Sequence, residues 1–253
     1  MVLATSSRAV IWHDLECGGY RADLGLWHEL AGQAADGRAA ARVLDIGAGS
    51  GRVSLELARA GHEVTALDRE ASLLEALDER AVARGGAPVR TVVADARDFR
   101  LPERDFDLCL VPMQTIQLLA GSRERLALMR RAREHLRPSG LLACAIVTAI
   151  EAFEYSEGGW APVPERALIG ACEYVSQPVG VRVGRRGFTI DRERIVREGG
   201  EQLARERDVA ELAWVSAARL LREGERAGLA GAGTLTIPAT DEHVGSEVVV
   251  LRA

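Results

Sequence analysis

Lysine and asparagine are both absent from this 253-residue sequence, so arginine is its only strongly basic residue. Both missing residues are encoded by A-rich codons, and we attribute their absence to a GC-rich gene rather than to an arginine-based mechanism. Positive charge is not in excess either, because 32 arginines against 37 acidic residues give a net charge of −5 at pH 7. Proteins that hold nucleic acid by its phosphates present a basic surface, so this balance argues against a nucleic-acid partner.

Long apolar runs are missing as well. No run approaches the roughly 20 residues that a membrane helix requires, and the N-terminus lacks a basic-then-apolar leader. The four cysteines have no CxxC spacing, which argues against a disulfide framework and a zinc site. We therefore expect a cytoplasmic protein with no membrane partner and no metal, in which Cys109 and Cys144 are small buried hydrophobic residues.

The most informative stretch is residues 42–52, which read RVLDIGAGSGR. The short apolar run 43–46 predicts a buried parallel strand, and a helical pattern opens near Gly51. Glycines at alternate positions let the backbone turn sharply and approach a ligand, because no Cβ intervenes. The free N–H groups and positive dipole end of the following helix would face that ligand. The stretch predicts a site for a small, nucleoside-like, partly anionic molecule.

Short apolar strands alternate with helical patterns as far as residue 148. This alternation predicts βαβ units and a parallel sheet with helices on both faces. Ligands of such sheets bind beyond the carboxyl ends of the strands. Asp45, Asp68, Asp95 and the Val111–Pro112 step all fall at those ends. The predicted strands are 43–46, 63–67, 89–94, 106–111 and 141–148.

The alternation fails after residue 148. Residues 151–165 are expected to form a loop, and the segments 172–183, 188–197 and 202–212 predict an antiparallel meander, with Gly199-Gly200 as a hairpin turn. The third segment has an alternative interpretation as an amphipathic helix. A helix over 215–229 and strands at 234–237 and 247–251 complete the prediction.

Two classes of cofactor use a glycine turn after a first strand: dinucleotides and S-adenosylmethionine. Dinucleotide turns usually read GxGxxG, whereas this loop reads GxGxG and has Arg52 where a third fingerprint glycine would lie. An acidic residue about 20 positions further on suits a ribose diol in either class, so Asp68 does not discriminate between them.

At this point the sequence resembles the class I S-adenosylmethionine-dependent methyltransferases of small molecules. The resemblance covers residues 42–148 and rests on DIGAGSG, on LDR with Asp68, on ADAR with Asp95, on FDLCLVPMQTIQLL and on REHLRPSGLL. It implies an α/β fold with a doubly wound, mostly parallel seven-stranded sheet whose last strand is antiparallel, and an antiparallel β insertion after strand five. The expected domains are an N-terminal helical lid (1–41), a core (42–150 and 213–253) and the insertion (151–212).

The resemblance also implies which residues hold the cofactor. Gly47, Gly49 and Gly51 would pass its methionine part, and the Asp45 region would bind the ammonium group. Asp68 would accept from the ribose hydroxyls. The remaining expected contacts are Asp95, the Ala96 N–H and Arg69 at adenine, Val111 at the sulfonium, and Tyr20 and Arg21 from the N-terminal segment, with Arg21 on the carboxylate.

The expected function is transfer of a methyl group to a nitrogen, oxygen or carbon of a small molecule, in specialised metabolism. The fourth motif lacks the Asn/Asp-Pro-Pro-aromatic signature of enzymes that methylate amide or exocyclic amino nitrogens. Three residues are the leading catalytic candidates: His13, Glu154 and Tyr155. Further candidate bases are Glu16, Gln114, Gln117, Glu151 and His243. Most aromatic residues, Trp160 among them, lie in the N-terminal segment and the insertion, which would cover the substrate.

Three alternatives stay open. The fold could serve a non-methylating reaction such as cyclisation, or a degenerate site could make the protein a cofactor-binding regulator. The meander could also be the contact surface of a homodimer, because its outer strand leaves an edge to be covered.

Overall fold

The computed structural model describes residues 7–83, 85, 88–155, 162–241 and 243–253. The described chain divides into two compact units. The sheet unit comprises residues 20–148 and 215–253, and the insertion unit comprises residues 7–19 and 149–214. The N-terminal segment 1–41, expected to be a single lid, is therefore divided between the two units after Gly19.

The helices and strands follow one another along the chain in this order: α1 (Arg8–Cys17), α2 (Leu24–Ala34), β1 (Arg42–Ile46), α3 (Arg52–Arg59), β2 (Glu63–Asp68), α4 (Ala71–Ala83), β3 (Arg90–Val93), β4 (Phe106–Val111), a 3-10 turn (Thr115–Leu118), α5 (Ser122–His135), β5 (Leu136–Ile146), β6 (Phe153–Glu154), β7 (Glu165–Ile169), β8 (Cys172–Val183), β9 (Gly187–Glu198), β10 (Glu201–Ala213), α6 (Ala217–Arg226), β11 (Ala230–Ile237) and β12 (Ser246–Arg252). Among the described residues, no helix combines the length and apolar character needed to cross a membrane.

The sheet unit contains a seven-stranded sheet in the order β11-β12-β5-β4-β1-β2-β3. Strands β1 to β5 pair in parallel, and β12 runs antiparallel to both β5 and β11. This arrangement confirms the predicted doubly wound sheet and its antiparallel last strand.

Both faces of the sheet are covered by apolar packing. Alternate residues of the central strands belong to two separate hydrophobic clusters: Val43 and Leu108 lie in one, and Leu44 and Cys109 lie in the other. Successive side chains of a strand point to opposite faces, so a strand buried on both sides has a continuous apolar sequence. That is why β4 is buried at every position. The predicted burial of Cys109 and Cys144 is confirmed.

The insertion unit is an antiparallel sheet in the order β10-β9-β8-β6, with β7 also paired to β8. The predicted meander is confirmed, and residues 202–212 form a strand rather than the alternative helix. Cross-strand ion pairs hold that strand: Arg207 contacts Asp191 at 2.7 Å and Arg205 contacts Glu193 at 2.7 Å. Residues 151–165, predicted as a loop, contain β6 and the first residue of β7.

Helix α1 belongs to the insertion unit. Its Trp12 packs edge-to-face on Tyr174 of β8, with ring centroids 5.4 Å apart. Its Glu16 receives two hydrogen bonds of 2.7 Å from the Arg194 guanidinium and one of 2.8 Å from the Ser176 hydroxyl. These contacts join the start of the chain to a sheet that the sequence places much later.

Two element ends differ from the prediction. The sequence predicts an amphipathic helix over residues 122–136 with Ser122 as its cap, whereas helix α5 begins at Ser122 and its N-cap is Gly121. Ser122 therefore does not cap the helix, and its hydroxyl instead hydrogen-bonds to Glu223. Strand β5 begins at Leu136 rather than at residue 141, because the Pro138–Gly140 turn, with Ser139 at φ 66°, lies within the paired segment.

Candidate functional site

The sheet register brings the predicted strand-end residues to one edge. Ile46 of β1 pairs with Leu67 of β2, and Asp68 pairs with Val93 of β3. Asp45 pairs with Leu110 of β4, one residue before Val111. The loops that follow β1, β2, β3 and β4 therefore share the carboxyl edge of the sheet, where ligands of such folds bind.

The glycine loop after β1 has a backbone conformation that favours glycine. Gly47, Gly49 and Gly51 have φ angles of 79°, 56° and 91°, in the left-handed region. A Cβ on Gly47 would lie 2.5 Å from Cγ2 of Thr115, and one on Gly51 would lie 2.6 Å from Cγ of Leu77. The loop is thus packed against its own unit, and a side chain at Gly47 or Gly51 would displace it.

Asp68 is fixed by backbone donors. Its Oδ2 accepts from the Gly49 N–H at 2.8 Å, and its Oδ1 accepts from the Glu70 N–H at 3.0 Å. Each carboxylate oxygen has about two acceptor sites, so each retains one after these bonds. Asp68 therefore ties the glycine loop to the end of β2 and keeps both oxygens able to accept from a diol.

Asp45 has a buried carboxylate that is only half satisfied. Its Oδ2 accepts a 2.7 Å hydrogen bond from the Ser54 hydroxyl, while its Oδ1 has no hydrogen-bond partner within the part of the chain that the structure describes. Burial raises the pKa of Asp45 to about 6, against the opposing effects of Ser54 and Arg52. A buried oxygen of this kind is unfavourable unless a donor reaches it. The foot of the glycine loop thus suits a cationic donor such as an ammonium group.

Asp95 lies after β3 and is held by Arg97. Its Oδ1 accepts from the Arg97 N–H at 2.8 Å and from Nε at 2.9 Å, and its Oδ2 accepts from the guanidinium at 2.6 Å. These bonds lower the pKa of Asp95 to about 2, and the charge of Arg69 contributes in the same direction. With about two acceptor sites per oxygen, one site on Oδ2 stays available, beside the half-buried Ala96.

Arg52, the first residue of α3, forms a buried ion pair that the sequence does not predict. Its guanidinium donates to both oxygens of Asp23 at 2.5 and 2.7 Å and to the Tyr20 carbonyl at 2.9 Å. Asp23 also accepts from Trp27 Nε1 at 2.8 Å. Arg52 lies where a dinucleotide loop usually has glycine, and here it joins the glycine loop to the segment before α2.

Tyr20 lies over this ion pair and Arg21 does not. The Tyr20 ring centroid is 5.2 Å from the Arg52 guanidinium carbon and 4.8 Å from the His243 ring centroid. Burial, followed by the charge of Asp23, raises the pKa of the Tyr20 hydroxyl. Arg21 is exposed, with its guanidinium 3.7 Å from Glu56 on α3. Its expected contact with the cofactor carboxylate would require it to leave that partner.

The segment after β4 packs against the glycine loop. Val111 is fully buried, Met113 has a left-handed φ of 52°, and Thr115 contacts Gly47. Gln117, one of the candidate bases, has a structural role: its amide nitrogen donates to the Val147 carbonyl at 3.0 Å, and its amide oxygen accepts from the Val147 N–H at 2.7 Å. The amide joins this segment to the residue after β5, and an amide has no basic lone pair to offer.

The three leading catalytic candidates all belong to the insertion unit. His13 is half-buried on α1, and Glu154 and Tyr155 are exposed at the end of β6. Glu16 is neutralised by Arg194, as described above. Gln114 precedes the 3-10 turn and Glu151 is exposed before β6, whereas Trp160 lies outside the described residues. The roles of His13, Glu154 and Tyr155 stay predictions.

Residues 43–140 match a family model described as a methyltransferase domain. The chain is 32% identical over 124 residues to the cypemycin N-terminal methyltransferase of a Streptomyces species; the match covers 49% of this chain and 46% of that protein. The chain thus spans less than half the length of this curated relative.

Solved structures extend the likeness to nearly the whole chain. The sugar N-methyltransferase KedS8 of a Streptoalloteichus species has a TM-score of 0.71 at 16% identity, covering 100% of this chain and 96% of that one. CalS10, an amino pentose methyltransferase of Micromonospora echinaspora solved with S-adenosylmethionine bound, has a TM-score of 0.68 at 18% identity, covering 96% and 97%. The CcbJ methyltransferase of Streptomyces caelestis has a TM-score of 0.65 at 24% identity, covering 93% and 97%. At these identities the likeness shows a shared fold.

Proposed function

We propose that this chain, whose residues 43–140 match a methyltransferase domain, is a class I S-adenosylmethionine-dependent methyltransferase that transfers a methyl group from that cofactor to an amine of a small molecule. The observation that carries the proposal is Oδ1 of Asp45, a buried acceptor at the foot of the glycine loop with no partner among the described residues. An amino-acid ammonium group is the donor that such an oxygen lacks. S-Adenosylmethionine carries one on the α-carbon of its methionine part.

The other residues at this edge fit the remaining parts of the cofactor. The loop from Gly47 to Gly51 would pass the methionine part, and Asp68 would take the ribose hydroxyls with the acceptor sites that its backbone bonds leave free. Asp95 would receive the adenine amino group on Oδ2, while the Ala96 N–H would donate to the ring and Arg69 would lie beside it. Val111 would line the sulfonium, with Tyr20 as cover and Arg21 on the carboxylate.

The bound cofactor supplies an activated methyl group on a sulfonium, and S-adenosylhomocysteine is the product. The protein's own contribution is to bind, to orient the acceptor in line with that methyl group and to exclude water. Proximity and orientation of this kind can lower a barrier by several kcal/mol.

An amine is the acceptor that we favour among nitrogen, oxygen and carbon. The names of four similar proteins point to nitrogen: they are a cypemycin N-terminal methyltransferase, a sugar N-methyltransferase, an amino pentose methyltransferase and a glycopeptide N-methyltransferase. A net charge of −5 favours a small amine over nucleic acid. None of the four cysteines, all of which lie in the described part of the chain, forms a disulfide, and this supports a reducing cytoplasm as the place of the reaction.

A thermal shift assay tests the cofactor. A ligand that binds only the folded state raises the apparent melting temperature by mass action. S-Adenosylhomocysteine is expected to stabilise the wild type and to stabilise Asp45→Asn much less, whereas the matched control Glu79→Gln, exposed on α4, keeps the full shift. Stabilisation by NADH and not by S-adenosylhomocysteine would overturn the assignment.

Methyl-labelled cofactor with a panel of amino sugars and short peptides tests the reaction. Label on an amine supports the proposal. Cofactor turnover without label transfer would favour a non-methylating reaction, and tight binding without turnover would favour a regulatory protein.

The homodimer is a separate part of the proposal. Strand β10 is 13 residues long and pairs with β9 alone in the described sheet, with Leu203 and Val209 exposed. An open edge of this length is usually covered. Light scattering is expected to give twice the 27.2 kDa chain mass, and a monomer mass at high concentration would contradict the dimer.

A further inference from the structure

We infer that the imidazole of His243 accepts the proton that the acceptor amine loses on methylation, and that Tyr20 orients this imidazole. The inference rests on the proposed function and names the base for that same site. It is carried by the position of His243 in the sheet unit, its contact with Tyr20 and the freedom of its ring nitrogens.

His243 lies at the ligand-binding edge of the sheet. It belongs to the connection between β11 and β12, and β12 is antiparallel to β5, with Glu247 paired to Ile146. The start of β12 therefore lies beside the carboxyl end of β5. That is the edge at which Asp45 and the Val111 segment also lie, because β1, β4 and β5 are parallel neighbours.

A chain of contacts leads from the glycine loop to His243. Arg52 directly follows Gly51, its guanidinium carbon lies 5.2 Å from the Tyr20 ring centroid, and that centroid lies 4.8 Å from the His243 ring. The two rings are tilted by 43°. Asp23 neutralises Arg52 and fixes it, so Tyr20 rests on a rigid ion pair. The residues that anchor the glycine loop therefore also hold the Tyr20 ring against one side of the His243 imidazole.

Among the described residues, the ring nitrogens of His243 have no hydrogen-bond partner, unlike those of the two buried histidines. His62 Nδ1 accepts from the Ala41 N–H at 3.1 Å, and His135 Nε2 accepts from the Leu101 N–H at 2.9 Å, so both serve the fold.

The backbone of His243 is fixed while its ring is not. The His243 N–H donates to Thr240 Oγ1 at 3.0 Å, and its carbonyl accepts from the Thr240 N–H at 2.9 Å. Neither of its ring nitrogens hydrogen-bonds to any residue that the structure describes. The turn thus holds the backbone and leaves a half-buried imidazole with a free acceptor atom.

An amine acceptor requires a group that takes up its proton. Alkyl ammonium groups lose their proton only near pH 10, so at neutral pH most of the acceptor has no lone pair for attack. Imidazole is the side chain best suited to take a proton at that pH. An N–H bond of the acceptor breaks, and its proton goes to the imidazole. The electron pair left on nitrogen then forms the N–C bond to the methyl group. The electron pair of the broken C–S bond stays on sulfur, and S-adenosylhomocysteine leaves.

The test uses sinefungin, a cofactor analogue that carries an amine where S-adenosylmethionine carries its transferable methyl group. The amine of sinefungin would lie where the acceptor nitrogen approaches the cofactor. A side chain that takes the acceptor's proton would therefore hydrogen-bond to this amine, directly or through one water. Isothermal titration calorimetry of sinefungin and of S-adenosylhomocysteine then gives a ratio of affinities that needs no acceptor. We expect the wild type to prefer sinefungin.

Two variants isolate the ring nitrogens. His243→Phe keeps a ring against Tyr20 and removes the nitrogens, and His243→Ala removes the ring without adding bulk. Both are expected to lower the preference for sinefungin by about threefold or more, the value of one hydrogen bond, while affinity for S-adenosylhomocysteine stays within about twofold. The matched control is His28→Phe on α2, which should keep the wild-type ratio.

The outcomes separate the two proposals. An unchanged ratio in both His243 variants would overturn the role of His243 and leave the cofactor assignment intact. Failure of S-adenosylhomocysteine to bind the wild type would overturn the proposed function itself.

Discussion

Ser54 donates a 2.7 Å hydrogen bond to Oδ2 of Asp45 and is the only described side chain that hydrogen-bonds to that buried carboxylate. The two residues lie in successive elements, β1 and α3, and the glycine loop runs between them. The bond holds the carboxylate at the foot of the loop, and it works against the burial that raises the pKa of Asp45 to about 6. Charge on Asp45 at neutral pH thus depends on Ser54.

Loss of Ser54 is expected to weaken cofactor binding. Ser54→Ala removes the bond that favours the ionised carboxylate, so the pKa of Asp45 rises further and less of it is charged at pH 7. A hydrogen bond to a charged group contributes about 1.5–3 kcal/mol, which corresponds to a rise of about one to two units in the pKa of Asp45, so the ionised fraction at pH 7 and with it the affinity for S-adenosylhomocysteine should fall about two- to tenfold. Calorimetry at pH 7 measures this, with Ser72→Ala on α4 as control. Equal affinities in the variant and the wild type would contradict a role for the Asp45 charge.

The ligand-free protein is expected to lose stability as pH rises through the range in which Asp45 ionises. Its pKa is raised from 3.8 to about 6 by burial, so the folded state binds more protons than the unfolded state between those values. Stability from this group is therefore complete below pH 4 and lost by about pH 6–7, with a magnitude of about 3 kcal/mol. Asp45→Asn lacks this titration. Urea unfolding should show the variant matching the wild type near pH 4 and exceeding it at pH 7; a constant difference would sink the idea.

Alanine at Gly47 should be far more damaging than alanine at Gly37. Both residues have a left-handed φ, near 79° and 78°, but a Cβ on Gly37 meets nothing within 4 Å, whereas one on Gly47 meets Thr115. Gly37→Ala should cost about 1 kcal/mol in the free energy of unfolding, and Gly47→Ala about 3 kcal/mol or more.

The double variant Gly47→Ala with Thr115→Ala removes the clashing Cγ2 atom. It should recover part of the loss in denaturant unfolding while the strain from φ stays. No recovery would show that contact with Thr115 is not what demands glycine at this position.

Breaking the Arg52–Asp23 pair should be strongly destabilising. Both side chains are buried, at 7% and 1% exposure, so Arg52→Ala leaves an unpaired charge in the interior and should cost about 3–5 kcal/mol. Arg59→Gln, which loses an exposed pair on the same helix, should change stability by less than about 1 kcal/mol. Urea midpoints measure both. The double variant Arg52→Met with Asp23→Asn should lose less than Arg52→Ala, because no charge is left unpaired.

Local sequence patterns predict much of the fold. Continuous apolar runs indicate β1 and β4 because a strand covered on both faces needs apolar residues at every position. The alternate glycines indicate a left-handed loop, and the meander follows from three β-compatible runs with Gly199-Gly200 between two of them. Each of these features depends on neighbours within a few residues, which the sequence displays directly.

Packing between distant residues decides what the candidate site can do. The sequence places Asp45 at a strand end, but only the folded chain shows that one carboxylate oxygen is buried without a described partner. Arg52 is a departure from a dinucleotide motif in the sequence and an anchor on Asp23 in the structure. Gln117 is a candidate base in the sequence, but in the structure its side-chain amide makes two hydrogen bonds to the backbone of Val147.

The amino-acid sequence by itself thus determined the glycine loop, the strand-end carboxylates and the class of cofactor that they suit. The tertiary structure decided the charge on Asp45, the anchoring of Arg52 and the contact between Tyr20 and His243. The physical reason is that hydrophobic periodicity and turn chemistry act over a few residues, whereas burial, ion pairing and ring contacts depend on which distant elements the sheet order brings together.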